Sequence, residues 1–250
     1  MSKFNSTLAV TLGAALLLFG AGAKADLITN GNFSTSAGFN GNSTAYGQLG
    51  YNTTVTGWTV ADPSNGGSYA FLFNSSNVGS GVTGQYGSLS LWTTSNDGAS
   101  TITASPAGGN FIGLDGAFQP GAISQTLTGL TAGTNYAVSF YWGAAQQYSF
   151  TGTTTEQFLV SLGNETLATN TILNANHSFS GWEQTTLIFQ ATSADETLSF
   201  LANGTPNGVP PFAVLDGVTA NAVPEPASMS LLGAGLAALG FVRRRKQKQG

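Results

Sequence analysis

The stretch Asn135-Tyr136-Ala137-Val138-Ser139-Phe140-Tyr141-Trp142 decides the fold. Tyr136, Val138, Phe140 and Trp142 alternate with Ala137, Ser139 and Tyr141, the period of two that lets a strand bury one face. Outward from it the period returns: Phe158, Val160 and Leu162 within 156–162, Leu187 and Phe189 within 182–191, and Leu198 and Phe200 within 197–202. Phe212, Val214, Asp216 and Val218 alternate along 212–219. Segments 110–114 and 122–127 read as shorter strands, and 27–33 as a first strand. Thr131-Ala132-Gly133-Thr134 and Ala194-Asp195 have turn chemistry. No sustained helical period occurs between Asp26 and Val223, so the pattern is that of an all-β sandwich or barrel. Segment 34–107 is dense in Gly, Asn, Ser and Thr and predicts short strands near 55–60, 69–73 and 88–92 joined by long loops.

Charge divides the chain sharply. All seven Lys and Arg lie near its ends: Lys3, Lys24, Arg243, Arg244, Arg245, Lys246 and Lys248. The formal net charge of −4 therefore hides a middle that carries acids alone. Nucleic acid is excluded as a partner, because phosphate neutralisation needs Lys and Arg. Phosphorylated or carboxylated ligands find no guanidinium fork, whereas the field favours cations, Ca²⁺ above all. Absence of cysteine removes disulfides, thiolate metal sites and a thiol nucleophile.

The two ends read as addresses. Lys3, the apolar run 8–20 and the small residues Ala23 and Ala25 have the order of a secretory signal helix over 1–25, cut by signal peptidase. At the other end Val223-Pro224-Glu225-Pro226 is followed by the apolar segment 227–242 and by Arg243-Arg244-Arg245-Lys246. Two prolines one residue apart hold the chain extended. The apolar segment, about 24 Å long as a helix, is predicted to cross the inner membrane, and the basic cluster stays on the cytoplasmic side. The expected layout is a signal at 1–25, a β-sandwich ectodomain at 26–222 and a sorting signal at 223–250.

Val-Pro-Glu-Pro, apolar segment and arginine cluster together resemble the PEP-CTERM sorting domain of Gram-negative bacteria. The resemblance implies an exosortase, a membrane-embedded cysteine transpeptidase or protease, that cuts near Pro224–Pro226. The protein would then be anchored transiently in the inner membrane before it reaches the cell surface or matrix. A permanent single-span anchor is the plainer alternative. The middle of the chain is similar to galactose-binding-like jelly rolls, including carbohydrate-binding modules and DUF642-type domains. The likeness is carried by Leu27-Ile28-Thr29-Asn30-Gly31-Asn32-Phe33, Gly57-Trp58, the 123–140 segment and Phe212-Ala213-Val214-Leu215-Asp216-Gly217-Val218. It implies a jelly-roll sandwich and a Ca²⁺ at the edge where first and last strands meet, with Asp216 and Asn30 as ligands. Ser34 stands where the family often has an acid.

Sugar recognition needs flat aromatic faces beside amides and hydroxyls. Trp58, Trp92 and Tyr141 are the candidates, with Tyr69 and Trp182 behind them, while Trp142 shares its face with Val138 and Phe140 and is expected in the core. Catalysis finds little material. His177, the single histidine, lies in a loop-like stretch, no Gly-x-Ser-x-Gly elbow occurs, and the adjacent Asp195 and Glu196 point to opposite faces of a strand. The expectation is thus an exported, non-enzymatic surface or matrix protein, structural or adhesive in exopolysaccharide or biofilm. A carbohydrate-binding lectin is the first alternative and a secreted glycan hydrolase the second, with polysaccharide as the expected partner.

Overall fold

Sixteen strands are laid out in the computed structural model, which describes residues 26–38, 46–61, 68–224 and 235. They are β1 (Ser36–Gly38), β2 (Gly47–Gln48), β3 (Thr53–Val55), β4 (Thr59–Val60), β5 (Ala70–Asn74), β6 (Val82–Gly84), β7 (Gly87–Leu89) and β8 (Asn110–Asp115) in the first half. The second half holds β9 (Ile123–Thr128), β10 (Asn135–Gln146), β11 (Thr154–Leu162), β12 (Glu165–Ala168), β13 (Ile172–Asn174), β14 (Glu183–Gln190), β15 (Asp195–Thr205) and β16 (Pro211–Ala222). The larger sheet runs β14-β10-β16-β8-β5-β2-β6-β7 and the smaller one β12-β11-β15-β9-β4, with β13 also on β11. The protein is an all-β jelly-roll sandwich.

Alternation in the sequence becomes the space between the sheets. Tyr136, Val138, Phe140 and Trp142 are fully buried there, opposite Phe158, Val160, Leu198 and Phe200 of the smaller sheet. Phe140 meets Phe200 edge-on at 5.1 Å, and Trp142 meets Phe158 at 5.7 Å, so the sheets are joined by crossed aromatic rings. The smaller sheet keeps its other face in water, and β11 and β15 accordingly alternate buried with more exposed residues.

The larger sheet is covered on both faces. Its outer face carries Phe71, Phe73, Phe111, Phe212 and Val214 beneath a layer of loops that contributes Val78, Leu91, Ile102 and Phe179. Strands β5, β8 and β16 therefore read as unbroken apolar runs, as strands packed on two sides must. Much of the Gly- and Asn-rich segment that predicts only loops is this covering layer. Side-chain amides and hydroxyls pin it. Asn96 Nδ2 donates to the carbonyls of Gly79 and Leu91, the Phe179 amide donates to Ser100 Oγ at 2.6 Å, and Trp182 Nε1 donates to the Thr103 carbonyl.

Three local expectations change. Segment 27–33 is not a strand: Leu27 and Gly31 bond the backbone of β16, but Asn30 and Phe33 adopt φ of 54° and 51°, which breaks a pleat. Segment 55–60 splits into β3 and β4 at Gly57, whose φ of 83° belongs to the left-handed region. In β16 Asp216 stays in phase with Phe212 and Val214 on the outer face, and a bulge at Gly217 (φ 62°) then shifts the register against β10, so Val218 turns inward.

The predicted signal helix, the apolar segment 227–242, Glu225, Pro226 and the basic cluster Arg243–Lys246 lie outside the described residues. Among the described residues no helix is long and apolar enough to cross a membrane. Strand β16 leads directly into Val223-Pro224, since the Val223 amide still donates to the Asn135 carbonyl at 2.8 Å.

Candidate functional site

Four loops and the entrance to β5 meet at one end of the larger sheet. Tyr69 precedes β5, Tyr86 sits in the two-residue turn between β6 and β7, and Phe118 follows β8. Gln147 and Phe150 follow β10, and Asn207, Gly208 and Pro210 come from the β15–β16 loop; together they line a cleft of about 300 Å³. That volume is at the lower end of the range for small-ligand sites, roughly 300–1,000 Å³.

The aromatic rings are held in place. Tyr69 meets Phe118 edge-on at 5.1 Å and Tyr86 at 6.1 Å, and Tyr86 lies 5.9 Å from Phe118. Gln119 fixes this arrangement: its Nε2 donates to the Tyr86 hydroxyl at 2.9 Å, its Oε1 accepts from Gln85 Nε2 and its carbonyl accepts the Tyr69 amide. Tyr86 nevertheless leaves 62% and Phe118 41% of its surface in solvent. Large rings that are exposed yet immobilised have already lost the rotamer freedom that binding would otherwise cost. The Tyr69 hydroxyl is pushed up to about 12 by burial, then by the charges of Asp115 and Tyr86, so it remains a neutral donor.

Beneath the cleft lies an acidic interior. Asp115 Oδ1 accepts the amides of Ala117 and Phe118, both at 2.8 Å, which shapes the loop that presents Phe118. Burial nonetheless raises Asp115 to about 7 against the pull of those two amides. Glu156 is fully buried on the inner face of β11 and is raised well above the ordinary range by burial and then by Asp115. Neither carboxyl can act on a ligand in solvent, because Asp115 is 1% exposed and Glu156 0%.

The residues singled out in the sequence are dispersed. Trp58 is a core side chain, 8% exposed, edge-on to Phe33 at 5.3 Å with its Nε1 donating to the Asn30 carbonyl. Trp92 is 9% exposed; it stacks on His177 at 3.9 Å, touches Tyr148 at 4.5 Å and donates Nε1 to the Phe150 carbonyl. It thus supports the loop that carries Phe150 toward the cleft. Tyr141 is half-buried and lines a separate hollow of about 540 Å³ with Asn30 and Gly217.

At that edge Asn30 and Asp216 already have partners. Asn30 Oδ1 accepts the Thr35 amide and its Nδ2 donates to the Thr35 and Thr56 carbonyls. Asp216 accepts from Ser105 Oγ and from the Gly217 amide, and burial raises it to about 6. Ser105 in turn receives the Ala107 amide, so Asp216 ties down the covering layer. Among the described residues no group of three or more His, Asp or Glu assembles at this edge.

A family model described as a protein of unknown function, DUF642, matches residues 83–219, more than half of the chain. The chain belongs to the DUF642 family. The PEP-CTERM protein-sorting motif matches residues 222–246, a span that includes Val223-Pro224-Glu225-Pro226 and Arg243–Lys246. This DUF642 protein therefore carries an export address and is an exosortase substrate. No curated protein matches it in sequence. Among solved structures it is similar to TmCBM61 in complex with beta-1,4-galactotriose, at 10% identity and TM-score 0.42 over 79% of this chain and 98% of that one. A CBM4 structure matches at 15% identity and TM-score 0.37 over 78% and 99% of the two chains. The K3 cleaved adhesin domain of Lys-gingipain from Porphyromonas gingivalis matches at 12% identity and TM-score 0.38 over 66% and 91%.

Sequence reasoning missed Tyr86, Phe118 and Gln119. Tyr86 had a signal of its own, an aromatic one residue inside the glycine-flanked turn Gly84-Gln85-Tyr86-Gly87, where a buried ring has no core to enter.

Proposed function

We propose that this protein is an exported surface or matrix component whose sandwich, residues 26–222, binds neutral polysaccharide at the cleft of Tyr69, Tyr86 and Phe118. The observation that carries the reading is the Tyr86–Phe118 pair, exposed yet fixed by Gln119. Such rings offer apolar faces to pyranose C–H groups, and the amides of Gln147 and Asn207 at the rim suit hydroxyls. The charge pattern supports neutral sugars over uronates, since the body has no basic side chain to hold a carboxylate. Binding rather than turnover fits the shut position of Asp115 and Glu156. After export the sorting tail is cut near Pro224–Pro226, and the body serves as a structural or adhesive element of exopolysaccharide or biofilm.

A glycan array that contains neutral and uronate polysaccharides tests the binding site. Wild-type protein should retain a set of neutral glycans, and Tyr86→Ala and Phe118→Ala should each weaken retention at least tenfold. Retention unchanged in the double variant would dismiss the cleft. Intact mass of protein from its own host tests the sorting: the surface form should lack residues 1–25 and Arg243–Lys248.

A further inference from the structure

Glu156 sits where a sandwich has no place for a carboxylate. It falls in phase with Phe158, Val160 and Leu162 on the inward face of β11 and is fully buried, and both of its carboxylate oxygens lack a hydrogen-bond partner. Space has been cleared for it: a Cβ on Gly116 would lie 2.8 Å from Glu156 Oε2, and one on Gly204 would lie 2.7 Å from its Cδ.

Further unpartnered oxygens come from the same neighbourhood. Thr154 lies two residues before Glu156 on the same face, is 1% exposed and has a free Oγ1. Asn174 pairs directly with Thr154 across β11 and β13, so it shares that face; it is 1% exposed and its Oδ1 is free while its Nδ2 donates to the Ser178 carbonyl. Asp115, adjacent to Gly116, is a second buried carboxylate whose Oδ2 has no partner, but it pairs with Phe212 and shares that residue's outer face, so it adds charge nearby rather than a donor to this set. A buried polar atom without a partner costs about 1–3 kcal/mol, and a charged one more.

The charge pattern narrows what can complete this set. No Lys or Arg exists between Asp26 and Pro226, and His177 is stacked on Trp92. Water can satisfy hydrogen bonds, but neutralising an interior carboxylate takes a proton or a cation. The donors are all oxygen, from carboxylate, hydroxyl and amide groups, with no sulfur and no imidazole; that choice suits a hard divalent cation and Ca²⁺ in particular.

We propose that Glu156, with Thr154 and Asn174, forms an interior Ca²⁺ site at this end of the sandwich, distinct from the Asn30–Asp216 edge. The ion joins β11 and β13 and sits against Gly116, the start of the turn that presents Phe118. The proposal stands whether or not the cleft binds sugar.

The test is calcium titration of the full-length chain in mild detergent after EDTA treatment, read by calorimetry and by melting temperature. One Ca²⁺ should bind per chain, and at a hundredfold excess over Kd the melting temperature should rise by roughly 5–10 °C. Glu156→Gln keeps the shape, removes the charge and should weaken binding at least tenfold. Asp216→Asn, at the edge, should leave the affinity unchanged. If Glu156→Gln fails to fold, elemental analysis of wild-type protein dialysed against micromolar Ca²⁺ decides, with one calcium per chain expected. No heat and no melting shift with wild-type protein would overturn the proposal. So would wild-type affinity in folded Glu156→Gln, loss of binding in Asp216→Asn, or calcium-free wild-type protein in the elemental analysis.

Discussion

Stability in EDTA should fall as pH rises from 5 to 8, which is the reverse of ordinary acid denaturation. Three buried carboxyls set the sign. Asp115 moves from 3.8 to about 7 on folding and Asp216 from 3.8 to about 6, each chiefly by burial, and Glu156 is raised well above 4.5. A raised carboxyl keeps its proton in the folded state where the unfolded chain has released it. The folded state therefore binds more protons across this window, and each pH unit gained costs stability. With a folded value of about 7 against 3.8 unfolded, Asp115 contributes a loss of roughly 2–3 kcal/mol between pH 5 and 8. Asp216, at about 6, contributes about 1–2 kcal/mol over the same interval. Together they lower the melting temperature by about 10 °C at roughly 2–4 °C per kcal/mol for a body of this size. The assay is thermal unfolding by circular dichroism at fixed ionic strength in EDTA. Asp115→Asn retains an acceptor for the Ala117 and Phe118 amides and should remove roughly 2–3 kcal/mol of the pH-dependent loss. A melting temperature that is flat or climbs from pH 5 to 8 would refute the placement of these carboxyls in a dry interior.

Other outcomes follow from the same structure. Phe200→Ala empties the junction where Phe140, Phe158 and Trp58 converge and should cost about 3–5 kcal/mol in denaturant unfolding. Tyr86→Ala should change stability by less than about 0.5 kcal/mol, since the ring is largely exposed, so its effect on glycan retention reads the cleft rather than the fold. Ser105→Ala leaves Asp216 without its hydroxyl partner and releases the Ala107 amide. It should cost about 1–3 kcal/mol, and hydrogen exchange should rise at the covering layer around Ala107 before it rises in β16.

The sandwich was legible because its inner faces obey one period. Tyr136, Val138, Phe140 and Trp142 read inward from the sequence and are inward, and Asp195 and Glu196 do diverge, one exposed and the other buried. The covering layer was not legible. Val78, Leu91 and Ile102 are single apolar residues among Gly, Asn and Ser, held by side-chain amides rather than by a ladder, and such contacts have no period. Asp216 occupies the position the resemblance implies for an acid; it stays in phase with Phe212 and Val214 on the outer face, where it accepts from Ser105. Glu156, by contrast, could have been found from the sequence. An acid in step with Phe158, Val160 and Leu162 is inside by the same rule that places those residues.

The cleft and the acidic interior share one structural cause. A sheet covered on both faces must be apolar on both, which leaves its polar residues to the ends, where loops leave the ladder. At this end β8 passes into the Asp115–Phe118 turn, and two buried amides hold the carboxyl on one side while the same turn presents an exposed ring on the other. The fixed position of Phe118 thus depends on Asp115, and Gly116 in the same turn rests against Glu156, whose carboxyl needs a counterion or a proton that the body's own side chains do not supply. If that counterion is Ca²⁺, as outside the cell it is free to be, the rigidity of the aromatic cleft follows the composition of the medium. Glycan retention by the wild-type protein should then weaken in EDTA at pH 8 and recover when Ca²⁺ is restored. Retention that ignores EDTA would uncouple the two sites while leaving each to its own test.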